Sequence, residues 1–484
     1  MVENRSLLKL GDVAYLIGSI LLGVAVALTV CALVGLAFRD GSFLPLALSA
    51  ALAAAAGGAA RYFTAAPKDI NFREAFATVT LAWVSVALFG ALPYLLSGSI
   101  PNPAQAFFES MSGFTTTGST VLTDIEVVAP GILFWRSATQ WLGGMGIIVL
   151  GIAILPYLGV GGMQLFRLEA PGPSPDRLRP RIRETAKILW MVYGALTGVL
   201  AMLFLLGGMS LYEAVAHALT TMPTGGFSTR NASMGAFSPY IQWVTIFFML
   251  LAGMNFTLHY RVLTRAQPYW RDPEWRLYIT IVVTATAIVI FTIRGLGLGV
   301  EPTIRHALFQ VVSVVTTTGY GTADYEAWRP LGQLVLFLLF FVGGMAGSTS
   351  GGPKVIRVLL ILKHGLLEIR KYLHPRAVMV VKVGGTAVPE SVMLNVVGFM
   401  LMYVGLFGLG TLAMTAIGLS LPSAAGAAAT AISNVGPGLD QVGPTDNFGF
   451  LPWHGHLILS FLMLAGRLEL YTVFLLFHPE LWRR

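Results

Sequence analysis

The chain has 484 residues, of which 55% are hydrophobic and only 11% charged, with a mean hydropathy of +0.73. A soluble domain carries about 25% charged residues, so this chain lacks a charged shell; its single cysteine, Cys31, excludes a disulfide scaffold, and its hydrophobicity excludes disorder. The net charge of +8 does not point to nucleic acid, because Lys and Arg gather in short loops between apolar runs; what remains is an all-α polytopic membrane protein, since alternating barrel strands do not give unbroken apolar runs of about 20 residues.

In chain order, residues 13–38 and 43–60 read as a transmembrane hairpin turning at Arg39-Asp40-Gly41. Four blocks of one design follow: an apolar helix, a shorter semi-apolar stretch ending in a Thr/Gly-rich turn, and a second apolar helix. The three pieces fall at 74–97, 103–114 and 132–158; 184–207, 209–221 and 239–263; 276–296, 302–315 and 331–363; and 391–419, 422–433 and 452–478. The middle pieces hold about 12 residues, too few to span about 30 Å at 1.5 Å per residue, and are expected to be re-entrant half-helices. The chain therefore divides into a hairpin over 1–66 and repeats over 67–165, 166–265, 266–373 and 374–484, with ten spanning helices and four half-helices around a pseudo-fourfold ion pore.

Two markers recur in step. The turns are Thr116-Thr117-Gly118, Pro223-Thr224-Gly225, Thr317-Thr318-Gly319 and Asn434-Val435-Gly436, and each is followed by Gly144-Met145, Gly253-Met254, Gly344-Met345 or Gly466-Arg467. Most Lys and Arg lie at the termini and in the linkers between blocks, including Arg5, Lys9, Lys68, Arg73, Arg167, Arg177, Arg179, Arg265, Arg271, the segment Lys354–Lys382, Arg483 and Arg484. By the positive-inside rule these linkers and both termini are cytoplasmic. The turns then enter from outside.

Irregular backbone at membrane depth is tolerated only when buried in protein or lining a wet cavity. Four such turns on one axis would present carbonyl rings that replace a cation's hydration shell. Glycine is needed where a Cβ would obstruct that backbone, and half-helix C-termini aimed at the axis favour cations. The twelve turn residues named above are thus the candidate potassium-binding backbone. No turn is a complete TVGYG, so the selectivity expected is modest.

These residues resemble a known family. Phe72-Arg73-Glu74-Ala75-Phe76, Trp141–Gly146, Val315–Tyr320, Gly347–Gly352 and Gly466-Arg467-Leu468-Glu469 are similar to sequences of the TrkH/Ktr/HKT superfamily of cation transporters. The similarity covers nearly the whole chain, N-terminal hairpin included. It implies potassium uptake across the bacterial cytoplasmic (inner) membrane, a homodimer, and a cytoplasmic nucleotide-binding regulatory subunit of the TrkA kind.

Further residues carry alternatives. The run Gly343, Gly344, Gly347, Ser348, Thr349, Ser350, Gly351, Gly352 and Pro353 cannot stay regular helix, at about 1 kcal/mol per Gly and about 3 for Pro. It is either a packing kink or a mobile gating loop beneath the turns, and the family resemblance implies the gate. Arg467 lies about halfway along 452–478, where an intramembrane Arg is functional by default; it is a barrier in the pore or part of a structural ion pair. Asp124, Glu126, Glu301, Asp324, Glu326, Asp440 and Asp446 either concentrate cations at the mouth or are ordinary solvated loops. His217 and His306 read as packing or interfacial residues, and no transition-metal spacing or phosphate-cradling motif appears. The chain is expected to need no cofactor beyond potassium ions in the filter. The basic segment 354–382 suits anionic lipid or the regulatory partner. Set against the uptake pore are a potassium symporter coupled to protons or sodium, with Glu109, Glu213 and Glu469 as its acidic candidates, and a membrane-embedded enzyme, for which no catalytic set is found.

Overall fold

The computed structural model describes residues 9–67, 70–153, 178–264 and 268–482. The expected helix end at 154–158, the repeat boundaries near 165 and 265, and Arg5, Lys68, Arg167, Arg177, Arg265, Arg483 and Arg484 lie outside the described residues.

Helices α1 (Leu10–Phe38) and α2 (Phe43–Tyr62) form the hairpin. Their backbones close up at paired glycines: a Cβ on Gly18 would lie 2.8 Å from the Gly57 carbonyl oxygen, and one on Gly57 2.6 Å from that of Gly18. At the turn, Asp40 accepts from Ser42 N at 2.9 Å and Gly131 N at 2.7 Å, which ties the hairpin to the first block.

The first block contains α3 (Phe72–Ser97), the short α4 (Pro103–Phe114) and α5 (Pro130–Ala153). The second contains α6 (Leu178–Leu206), the short α7 (Leu211–Thr221), and α8 (Pro239–Ala252) with α9 (Phe256–Leu263). The third contains α10 (Pro273–Ile293), the short α11 (Val300–Val315), α12 (Pro330–Leu339) and α13 (Val355–Leu373). A two-strand hairpin, β1 (Lys382–Val383) with β2 (Thr386–Ala387), precedes the fourth block. That block contains α14 (Glu390–Ala416), the short α15 (Leu421–Ser433), α16 (Trp453–Arg467), α17 (Tyr471–Leu475) and α18 (Pro479–Trp482). Starts follow capping chemistry. Asn102, Ser210, Ser238, Asp272 and Ser420 each accept from a first-turn amide, four of them just before a first-turn proline.

Six of the described helices are long and apolar enough to cross a membrane, or seven with the α8–α9 pair, bent by 98°, as one span. The sequence reading expects ten, and the difference falls on the blocks' second helices. The third is broken from Phe340 to Lys354, as expected. The second and fourth also break, at Gly253–Asn255 and at Leu468–Leu470, where continuous helices are expected. Asn255 caps α9 by accepting from Thr257 N at 2.8 Å, and Glu469 and Leu470 take the left-handed φ values 62° and 51° that end α16. Arg467 is therefore the last residue of a helix rather than the middle of one.

The spanning helices turn Leu33, Leu88, Met202, Leu401 and Leu412 outward, as lipid requires. Their inner faces form two apolar clusters. One joins the hairpin with blocks one and four through Phe108, Trp135, Tyr403 and Leu459; the other joins blocks two and three through Tyr193, Phe248, Tyr278 and Val312. The short helices sit at the centre, with most of their residues buried.

Candidate functional site

Each short helix ends in the same motif. The amides of Thr117, Gly225, Thr318 and Val435 donate to the carbonyls five residues back, of Ser112, Thr220, Ser313 and Thr430. The amides of Thr116, Thr224, Thr317 and Asn434 donate to those three residues back. This is the Schellman C-cap, whose left-handed position is usually glycine. Here Thr116, Thr224, Thr317 and Asn434 occupy it, at φ between 52° and 56°. Four non-glycine residues held in that region at one place in each block mark strain retained at a site.

Two residues on, Gly118, Gly226, Gly319 and Gly436 take φ values of 88°, 77°, 80° and 109°. Each meets the turn of the next block. A Cβ on Gly118 would strike the Gly225 carbonyl oxygen, one on Gly226 that of Thr318, and one on Gly319 that of Val435; one on Gly436 would lie 3.0 Å from that of Thr117. The turns thus touch in the order one, two, three, four and back to one. The carbonyls facing these glycines belong to the residue just before each block's own left-handed glycine.

The same geometry corrects the alignment of the second turn by one residue. The equivalent of Thr116-Thr117-Gly118 is Thr224-Gly225-Gly226 and not Pro223-Thr224-Gly225, because the Schellman bonds and the left-handed glycine both fix that register. Pro223 instead sits under the second marker, where a Cβ on Gly144 would come within 2.5 Å of its side chain. The second marker has the same cause elsewhere. Gly143 and Gly466 run against the carbonyls of Phe114 and Ile432, and Gly253 against the Thr316 side chain, so these helices admit no Cβ where they pass the half-helix ends.

A belt of side chains braces the ring from behind. Gln140 donates to the Gly225 oxygen at 2.7 Å and accepts from Phe227 N at 3.1 Å. Arg136, buried in α5, donates to Glu109 at 2.6 Å and to the Ser228 carbonyl at 3.0 Å, with its guanidinium 3.5 Å from the Phe227 ring centre. Glu109 also accepts from Val121 N and Thr120 Oγ1, each at 2.9 Å. His217 lies close to Ser228 Oγ at 3.0 Å, a packing role as expected. The Tyr320 hydroxyl reaches Thr220 Oγ1 at 2.5 Å and donates to the His217 carbonyl at 3.2 Å, so it props the third turn against the second half-helix. Its counterparts are Ser119, Phe227 and Pro437, and of these Ser119 donates to the Gly436 oxygen at 2.8 Å. The brace is uneven around the ring. Tyr320→Phe removes the hydroxyl that ties the third turn to Thr220 and the His217 carbonyl; it is expected to lower potassium-over-sodium preference by a few-fold with unchanged protein yield, measured as competitive flux.

Sequence reasoning missed this belt. The signal was available in Arg136, which lies in an apolar helix and falls under the rule applied to Arg467.

The glycine-rich segment folds back against the turns. Thr349 Oγ1 donates to the Met222 carbonyl at 2.9 Å, Gly351 N to Thr317 Oγ1 at 2.6 Å, and a Cβ on Gly351 would strike the Ser433 carbonyl oxygen. Gly343, Gly347 and Gly352 need their left-handed φ values for this path. Gly344 packs on the Gly253 oxygen, and Ser348 donates to the Met345 carbonyl at 2.6 Å. Two cations hold the segment: Arg467 donates to the Thr349 oxygen at 2.7 Å, and Lys354 to the Ser350 oxygen. Glu469 pairs with Arg357, not Arg467, and both partners are buried. Among the described residues, the Nε and Nη2 of Arg467 have no hydrogen-bond partner.

Asp324, Glu326, Asp440 and Asp446 gather near the third and fourth turns. Partial burial, and then the neighbouring Asp324 and Asp446, push the Glu326 carboxyl up. Hydrogen bonds from Ser420 and Ser423 hold the Asp440 carboxyl below its usual range. Asp124 accepts from Asn231 at 2.8 Å, and Glu301 pairs with Arg305 at 2.8 Å, so these two serve local structure. Glu126 lies 4.0 Å from Arg230, and His306 contacts Thr322 at 3.1 Å.

Apolar spans packed around a closed ring of turns define a multi-pass helical membrane protein. The chain belongs to the TrkH family of cation transport proteins, matching it over residues 46–484. It is a family of transporters, not enzymes. The chain is 42% identical over 462 residues to the Trk system potassium uptake protein TrkH of Escherichia coli K12, covering 93% of this chain and 95% of that one. It is 40% identical over 468 residues to TrkH of Halomonas elongata, with coverage of 93% and 95%. The crystal structure of the potassium transporter TrkH from Vibrio parahaemolyticus superposes with a TM-score of 0.90 at 37% identity, covering 98% of this chain and 100% of that one.

Proposed function

We propose that this chain is a potassium uptake pore of the bacterial cytoplasmic membrane, with a carbonyl-lined filter and a gate beneath it. The observation that carries this reading is the closed cyclic contact of the four turns. Carbonyls on one axis replace a cation's water, and four half-helices ending at the ring turn their negative ends toward it. The filter residues are Thr116-Thr117-Gly118, Thr224-Gly225-Gly226, Thr317-Thr318-Gly319 and Asn434-Val435-Gly436. The names of the relatives supply the ion.

The broken second helices count as spans in this reading, which gives ten spans, four half-helices and the repeat units 67–165, 166–265, 266–373 and 374–484 after the hairpin. The basic linkers place both termini in the cytoplasm. Segment 343–353 with Arg467 forms the gate. A homodimer, contact with anionic lipid and a TrkA-like nucleotide-binding subunit complete the assembly. The symport reading is weakened because its three acidic candidates, Glu109, Glu213 and Glu469, are each engaged in an ion pair.

The test is isotope flux into proteoliposomes of the purified protein. Saturable uptake of potassium or rubidium, preferred over sodium, is expected, and vesicles no leakier than empty ones would remove the pore. The chain carries no phosphate-cradling motif, so ATP or NADH is expected to alter flux only after the cytoplasmic subunit is added. A nucleotide response from the purified chain alone would contradict that division of labour.

A further inference from the structure

The segment 343–353 has a narrow neck. Val355 N donates to the Gly344 carbonyl at 3.0 Å, which brings the segment's two ends together. Two more amides at this neck need acceptors. Ile356 N lies in the first turn of α13, where helix amides have no intrahelical partner, and the N-cap residue Lys354 supplies no side-chain cap. Ala346 N lies on the opposite strand of the neck. Both donate to a single atom, Oε1 of Glu274, at 3.0 and 2.7 Å.

Glu274 comes from elsewhere in the block, the first turn of α10, and is 6% exposed. It is not needed to cap its own helix. Asp272 does that, accepting from Glu274 N at 2.8 Å and Trp275 N at 3.0 Å. Those caps fix the Glu274 backbone and leave its carboxylate free to reach across to α13, at whose N-terminus a negative charge is favoured. The stretch leading into α10 is itself braced. Arg276 donates to the Trp270 carbonyl at 2.6 Å, Tyr269 stacks on Trp275, and the Tyr269 hydroxyl lies 2.8 Å from His259 of α9.

We propose that Glu274 is the positioning residue that clamps the neck of segment 343–353, and that through it the stretch 268–276 controls how firmly the segment rests against the turns. This inference rests on the gate role given to that segment above. A displacement of 268–276 withdraws one carboxylate and frees both neck amides together, so a pull on the linker between blocks two and three loosens the segment without touching the filter. That is a second cytoplasmic route to the gate, separate from the basic stretch that follows it.

The test uses the full-length protein in proteoliposomes, with Cys31→Ser and a reporter cysteine at Ser348, which is buried in the segment. The rate of its reaction with an impermeant thiol reagent applied to the cytoplasmic face is read beside rubidium flux in the same vesicles. A control reporter at Thr197, buried in α6, detects general loosening. Glu274→Ala is expected to raise the Ser348-site rate at least tenfold, raise flux, and leave the Thr197-site rate unchanged. Glu274→Gln keeps an acceptor oxygen and is expected to give a smaller rise; Glu274→Asp, one methylene shorter, falls between. An unchanged Ser348-site rate in Glu274→Ala, or an equal rise at both reporters, overturns the clamp. If Glu274→Ala does not assemble, parental rates in both Glu274→Gln and Glu274→Asp overturn it. A raised Ser348-site rate with unchanged flux keeps the clamp and removes the gate.

Discussion

Serine at Gly118, Gly226, Gly319 or Gly436 is expected to cut potassium flux by tenfold or more, with assembled protein recovered in near-normal yield. Each glycine sits at φ between 77° and 109°, where an L side chain costs about 1–3 kcal/mol. Gly118, Gly226 and Gly319 also face a carbonyl of the next turn across a gap that has no room for a Cβ, so the added atom must displace that carbonyl, while at Gly436 the contact of 3.0 Å is tight and needs a smaller shift. The ring is closed, and a shift in one member disturbs the neighbour's oxygen as well as its own. The strongest discrimination is between adjacent residues of the second block. Alanine at Gly226 meets the Thr318 backbone, whereas alanine at Gly225 meets the end of the Gln140 side chain, so it disturbs a side-chain brace rather than a carbonyl of the ring. Flux from Gly226→Ala is therefore expected to fall further than flux from Gly225→Ala. The reverse order would restore the alignment on Gly225, and full flux from all four serine variants would remove the ring from the ion path.

That one-residue question shows where the sequence stops being legible. The half-helices were readable because a stretch of about 12 residues cannot span a bilayer. The turns were readable because Thr and Gly recur in them. In the second block, however, two glycines stand side by side, and only the left-handed backbone at Gly226 and the bond from Gly225 N to the Thr220 carbonyl choose between them. Composition also exposed the break at Gly343–Pro353. It did not expose the break at Leu468–Leu470, which contains no Gly or Pro and exists because Gly466 runs against the Ile432 carbonyl and Glu469 turns to Arg357. Glu274 was invisible for a different reason. A glutamate two residues after Asp272 and one after Pro273 looks like ordinary helix-start chemistry, and its export to another helix is a tertiary fact.

Replacing Arg467 by alanine is expected to raise basal potassium flux, by an amount that two effects set together. A full positive charge opposes a passing cation: by Coulomb's law two unit charges at a separation of about 7 Å and an effective dielectric constant of about 20 repel by about 2 kcal/mol, roughly thirtyfold in occupancy. Arg467 is 2% exposed and lies at the end of α16, where it reaches the segment beneath the turns, so screening by bulk salt is weak. The second effect is mechanical. Arg467 holds the Thr349 carbonyl while Thr349 itself bonds to the Met222 carbonyl under the second turn. Removing the guanidinium frees one side of the segment that packs against the turns. Both effects act in the same direction, and deletion within Gly343–Gly352 should reproduce the second without the first. A structural ion-pair role predicts otherwise. Losing one member of a buried pair costs about 3–5 kcal/mol, which would appear as a loss of assembled protein rather than a gain of flux. Glu469, two residues along, is already paired with Arg357, so among the described residues Arg467→Ala breaks no ion pair. The Arg357→Ala variant removes the ion-pair partner of Glu469 and is the one expected to lower yield. Flux measured per assembled molecule separates the outcomes: a rise for Arg467→Ala with parental yield supports the barrier, and a fall in yield matching that of Arg357→Ala returns Arg467 to a structural role.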